Sequence, residues 1–221
     1  MIKLIIFDWD DVIVLGSKTG YYKCYRETLK KLGITMSEKE MDVRIKRKWG
    51  QPFKEELKEL LEEHPSLVDE AVRIFRDEKF NGATFIDELF KIKGVNELLL
   101  RLSKKYKLAV ATGNQREMLF GKIMPKFSIP DVFCQIVTAH DNIPPEKTKP
   151  HPYMLQLILN EQKIKNSEAI YVGDAKNDVV MARKAGVEPV LVLTGHLSKT
   201  EAESLGVKYI LPDVTKIESI L

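Results

Sequence analysis

Two carboxylates spaced two residues apart, where an apolar run stops, are the first residues of this chain suited to chemistry. Ile2-Lys3-Leu4-Ile5-Ile6-Phe7 runs straight into Asp8-Trp9-Asp10-Asp11. Residues two apart on an extended chain point the same way, so Asp8 and Asp10 can converge on one site. They could cradle a hard cation, or pair a nucleophile with a proton donor; an acidic loop after a strand is the plainer alternative. Thr112-Gly113-Asn114 joins a hydroxyl to flexible backbone ahead of a predicted helix start, where amide hydrogens and the helix dipole favour an anion. A simple helix N-cap would use the same residues. Gly173-Asp174 closes another apolar run, and Asp178 follows one helical turn later on the same face. Here an N-cap and a solvated helix face are the alternatives. Asp8, Asp10, Asp174 and Asp178 gathered together would repel one another strongly unless a divalent cation and a basic side chain joined them. Lys149, in Lys147-Thr148-Lys149-Pro150-His151-Pro152, could be that base, although a surface lysine in a loop has the same appearance.

The elements that must hold these groups follow from periodicity. The opening run reads as a strand buried on both faces, and Val12 to Ser17 as a loop. From Lys18, Tyr22, Tyr25, Leu29 and Leu32 recur at helical spacing up to Gly33. Further helices are expected over 38–48, 53–63 and 66–80, punctuated by Gly50 and Pro52. The stretch 16–93 therefore reads as a helical insert without strands. Beyond Gly94 the rhythm alternates: helices over 95–102, 115–123, 152–160 and 177–185, with strands over 108–111, 135–138, 169–172 and 189–193. That order predicts an α/β, Rossmann-like, doubly wound parallel sheet covered on both faces. Ligands in such sheets bind beyond the carboxyl ends of the strands, which is where Asp8, Asp10, Thr112, Asp174 and Asp178 fall.

Composition limits the partners. In 221 residues, 35 basic side chains interspersed with 32 acidic ones leave a formal charge of only +3, too balanced to predict nucleic-acid binding. No apolar run approaches a membrane span, and Met1 leads into the first strand with no signal-like segment, so a cytoplasmic protein that binds no membrane is expected. Cys24 and Cys134 have no ligand-spaced companions, which suggests buried free thiols. His64, His140, His151 and His196 also lack metal-ligand spacing.

In their order along the chain, strand-Asp8-Trp9-Asp10, strand-Thr112, Lys149-Pro150 and strand-Gly173-Asp174 with Asp178 resemble the four motifs of the haloacid dehalogenase superfamily. The insert resembles the C1 cap of its phosphoglycolate phosphatase and beta-phosphoglucomutase branch. The resemblance covers essentially the whole chain and implies a core of residues 1–15 and 94–221 with a cap of 16–93. It implies a phosphatase acting on a small phosphorylated metabolite. Asp8 would be the nucleophile that forms an aspartyl phosphate, and Asp10 the general acid and base. Mg2+ would be held by Asp8, the Asp10 carbonyl and Asp174, with Asp178 supporting them. Thr112, Gly113, Asn114 and Lys149 would hold phosphate oxygens. A mutase of the beta-phosphoglucomutase type, or a non-catalytic phosphate-binding protein on the same fold, are the alternatives.

Asp11 departs from the family pattern, which has Gly there. It is harmless if its backbone avoids positive φ, and otherwise alters the turn that presents Asp10. In the insert, Lys18, Thr19 and Tyr22, and Arg44, Lys46, Arg47, Lys48 and Trp49, are candidate substrate contacts, with Arg47 and Lys48 foremost. A solvated helix face balanced by Glu38, Glu40 and Asp42 is the competing reading, and it extends to Arg73, Arg76 and Lys79. Gly16, Gly20 and Gly94 could absorb the rotation of a moving lid.

Overall fold

The computed structural model describes residues 1–48, 53–139, 143–195 and 197–221. Trp49, Gly50, Gln51, Pro52, His140 and His196 lie outside the described residues. The chain divides into two compact units, 1–16 with 90–221, and 17–89.

The first unit is built on a six-stranded parallel sheet in the order β5-β4-β1-β6-β7-β8. Its strands are β1 (Leu4–Phe7), β4 (Lys107–Thr112), β5 (Phe133–Thr138), β6 (Ala169–Gly173), β7 (Glu188–Val192) and β8 (Tyr209–Leu211). β1 is central because the chain builds outward from one side of it through β4 and β5, then returns to its other side with β6. Four consecutive residues, Leu4 to Phe7, are fully buried, as a strand covered on both faces requires. Leu4 and Ile6 pack with Ala109, Ala111 and Tyr171 against Met154, Leu155 and Ile158 of α8 (Tyr153–Gln162) and Met181 and Ala182 of α9 (Lys176–Ala185). α9 stops where Gly186 takes a left-handed conformation, φ 70°. The reversal at β1 creates the switch-point crevice of a doubly wound sheet, as the alternating sequence predicts.

Three expectations need correction. Val14–Leu15, expected in a loop, forms β2, and Phe90–Lys91, expected in a strandless insert, forms β3; the two pair antiparallel as a short ribbon. A two-residue ladder is too short to leave a periodic signature. Cys24 is buried as expected, but Cys134 is exposed because β5 is an edge strand.

The second unit contains α1 (Ser17–Lys31), α2 (Glu38–Lys48), α3 (Phe53–Leu60) and α4 (Val68–Arg76), the last continued by a π turn over Asp77–Asn81. Its core includes Tyr25, Ile45, Leu57 and Phe75, with the Tyr25 and Phe75 rings stacked at 4.6 Å. Gly20 lies inside α1, where an added Cβ would come within 2.8 Å of the Phe85 ring. Close packing explains that glycine, so the hinge reading is corrected there. Gly16 and Gly94 do hold positive φ, 92° and 84°.

No helix among the described residues is long and apolar enough to cross a membrane.

Candidate active site

Every group of the site stands at or just beyond the carboxyl edge of the sheet. Asp8 follows β1, where its own N–H bonds to the Val172 carbonyl. The chain then turns sharply, with the Ile13 N–H donating to the Trp9 carbonyl over 2.9 Å. Asp11 occupies that turn with φ 56°, the conformation in which a side chain is not neutral. Asp is one of the few residues that tolerate it, because a short polar side chain can bond locally. Its Oδ1 accepts the Gly16 N–H at 3.0 Å, and its carbonyl accepts the Thr194 hydroxyl.

Lys149 Nζ lies 2.7 Å from Asp8 Oδ2 and 2.9 Å from Asp178 Oδ1. The surface-lysine reading therefore fails. Asp178 is likewise no solvated residue, being 2% exposed. From the first turn of α9 its Oδ2 accepts the N–H groups of Asp174 and Ala175, and its Oδ1 faces both Lys149 and the Tyr171 hydroxyl at 3.0 Å. Those four donors account for the hydrogen-bonding capacity of a carboxylate. Asp178 thus seats Lys149 and the β6–α9 turn. Gly173 is required beside it, since an added Cβ would collide with the Asp178 side chain.

The electrostatics of the site are those of acids buried together around one base. Burial, with the Asp178 and Asp10 charges adding to it, pushes the Asp8 carboxyl up to about 7 although Lys149 opposes the shift. Burial, then Asp178 and Asp8, hold Asp174 well above the ordinary carboxylate range. Burial disfavours the charged form of Lys149, but Asp178 and Asp8 outweigh it and raise the ammonium further. One oxygen each from Asp8, Asp174 and Asp178 lie within 4.8 Å of one another, the all-oxygen donor set that suits a hard cation. The chemistry of these three residues therefore fits a hard divalent cation such as magnesium. The Asp10 carboxylate is not part of this trio.

Thr112 and Asn114 are wholly buried, whereas Gly113 is exposed with nothing within 4 Å of an added Cβ. The Asn114 N–H donates to Thr112 Oγ1 at 3.1 Å, so the threonine does serve the local turn. The open Gly113 backbone is the part of this segment that an anion can approach.

The candidate contacts of the helical unit have partners of their own. Arg47 pairs with Glu59 at 2.9 Å, Lys46 with Asp42 at 2.6 Å, and the Tyr22 hydroxyl donates to Asp42 at 2.7 Å. Arg44 and Lys79 are not on a solvated face, which corrects that reading for both. Arg44 is buried and reaches Glu40, Glu62, Glu63 and the Leu60 carbonyl. Lys79 is buried over the Tyr21 ring, with its Nζ 4.2 Å from the centroid. Lys48 belongs to the last turn of α2.

Three further residues stand near the site, Tyr171, Thr194 and Gly195. Tyr171 is the one hydroxyl in the apolar run Ala169–Gly173. Thr194-Gly195 follows β7 with the same residue pair that ends β4 at Thr112-Gly113, and that repetition is the sequence signal for the pair.

A family model for haloacid dehalogenase-like hydrolases matches residues 5–192. Pyrophosphatase PpaX of Halalkalibacterium halodurans is 31% identical over 144 residues, 65% of this chain and 63% of that protein. The match thus spans less than two thirds of that relative's length. Among solved structures, a haloacid dehalogenase-like family hydrolase of Streptococcus pneumoniae aligns with a TM-score of 0.82 at 21% identity, over 99% of this chain and 97% of that one. A HAD-superfamily hydrolase of subfamily IA from Geobacter sulfurreducens aligns at 0.73 and 25% identity, over 100% and 96%.

Proposed function

This chain belongs to the haloacid dehalogenase-like hydrolases, and on that premise we propose that it is a magnesium-dependent phosphatase of small organic phosphate monoesters, working through an aspartyl phosphate. The observation that carries the reading is the Asp8 carboxylate, held at the sheet edge by Lys149 with Asp174 and Asp178 beside it. Ordinary packing gives no reason to bury three acids around one lysine.

In the first step an Asp8 oxygen attacks phosphorus while the bond to the leaving oxygen breaks, and Asp10 passes its proton to that oxygen. In the second, the Asp10 carboxylate takes a proton from water. The water oxygen attacks phosphorus, the bond to Asp8 breaks, and phosphate leaves. Splitting the displacement in two lowers each barrier. Lys149, the Gly113 backbone and the Thr112 turn hold phosphoryl oxygens as their charge is redistributed. Magnesium, when bound, supplies positive charge that offsets the carboxylates and the phosphoryl group together. Arg47 and Lys48 are proposed to read the leaving group, for which Arg47 would have to release Glu59. Replacing them by Ala should then change the ranking of a panel of phosphometabolites.

The deciding experiment assays such a panel, with magnesium or with a chelator, on the native protein and on Asp8→Asn. Turnover should need both magnesium and Asp8. A chelated enzyme, or an Asp8→Asn protein, working at the native rate would exclude the reading. The pyrophosphatase relative favours one addition: inorganic diphosphate belongs on the panel, because its leaving phosphate needs the same in-line attack at Asp8. A mutase would instead return a phosphorylated isomer, and a binding protein no product.

A further inference from the structure

Asn114 contacts the second aspartate of the opening motif. Its side-chain Nδ2 lies 3.4 Å from Oδ1 and 3.4 Å from Oδ2 of Asp10, a residue 104 positions away. The orientation of the amide is fixed independently, because Asn114 Oδ1 accepts the Gln115 N–H at 2.9 Å. With the oxygen so engaged, the NH2 group must face Asp10. Asn114 is also 0% exposed, so its side chain is committed to these buried contacts. Asp10, by contrast, is only partly buried.

We infer that Asn114 is a positioning residue for Asp10, an inference that rests on Asp10 being the acid and base of the proposed reaction. An amide equidistant from both carboxyl oxygens resists rotation about the Cβ–Cγ bond. It holds the carboxyl plane so that one oxygen meets the leaving oxygen. As the bond from Asp8 to phosphorus forms and the bond to the leaving oxygen breaks, the proton moves from Asp10 to that oxygen and Asp10 becomes a carboxylate. The Asn114 hydrogens then face a full negative charge, where a hydrogen bond is stronger and shorter. A 3.4 Å separation in the resting protein accords with catalytic contacts that tighten on reaction.

Asn114 should therefore matter most where the leaving group needs a proton. Asn114→Asp keeps an acceptor for the Gln115 N–H and removes the donor; Asn114→Ser is a second, smaller probe. The measurement is the first turnover with magnesium, read as release of the leaving group from glycerol 2-phosphate and from 4-nitrophenyl phosphate. A displaced acid of this kind costs on the order of 10²-fold, and that loss is expected with the alkyl ester. Release of 4-nitrophenol, which leaves without a proton, should stay within about threefold of the native rate. Combining either variant with Asp10→Asn should slow the alkyl ester no more than Asp10→Asn alone, because both changes remove one function. Equal losses on the two esters, losses that multiply in the double variant, or failure of both Asn114 variants to fold would each overturn the inference. A native protein that releases neither leaving group would instead overturn the underlying reading of the site, and the inference with it.

Discussion

A Cβ added to Gly195 would overlap the Asp174 carboxylate and stand only 2.5 Å from the Asp174 Cβ. The acid after β6 is therefore seated against bare backbone from the loop after β7. Because the Asp174 Cβ is itself in the way, a rotation of the carboxylate cannot relieve the clash.

Gly195→Ala should displace Asp174 and weaken magnesium binding by about 10- to 100-fold, the usual cost of disturbing a group that orients a ligand. Isothermal titration of magnesium checks this. Unchanged affinity would mean that Asp174 is not a direct ligand.

The pH dependence of stability has a definite sign. The Asp8 carboxyl is raised in the fold to about 7 from its ordinary 3.8, so without metal its contribution is complete below the unfolded value and is lost as pH rises through about 7. Thermal melts in chelator should fall between pH 6 and pH 8, and Asp8→Asn should flatten that part of the decline. Magnesium competes with protons for the same oxygens, so the rise in melting temperature it causes should be larger at pH 8. At a hundred times the dissociation constant it amounts to about 2.7 kcal/mol. An equal rise at both pH values would contradict the assignment of these carboxylates to the metal.

Asp174 and Asp178, both buried acids of one turn, should respond differently to loss of charge. Asp178 accepts from Lys149, Tyr171 and two backbone amides, so Asp178→Asn should cost on the order of 3 kcal/mol in urea melts, as breaking a buried pair does. Asp174→Asn relieves repulsion and should leave the metal-free protein as stable or more so, while abolishing its response to magnesium. The opposite ranking in stability would show that the roles are exchanged.

Asp11→Gly should be nearly neutral for folding, because glycine adopts φ 56° freely even though the bond to the Gly16 N–H is lost. Asp11→Ala keeps the backbone penalty without the local bond and should cost about 1–2 kcal/mol. Equal urea midpoints for the two variants would remove backbone strain from the explanation.

Much of this protein follows from local sequence. The buried run Leu4–Phe7, the alternation of strands and helices after Gly94, and the acids at the strand ends are near-neighbour patterns, and they determine a doubly wound sheet with its acids along one edge. What the tertiary structure alone decided are relations across sequence distance. Lys149 became a bridge between Asp8 and Asp178 because separate elements deliver the three groups to one buried point. Asn114 faced Asp10 because β4 lies beside β1. The positive φ of Asp11 and the seating of Gly195 against Asp174 likewise arise from contacts that no local pattern encodes. Periodicity reports which face a residue shares with neighbours three or four positions away. It carries no information about which distant strand end will supply the next charge.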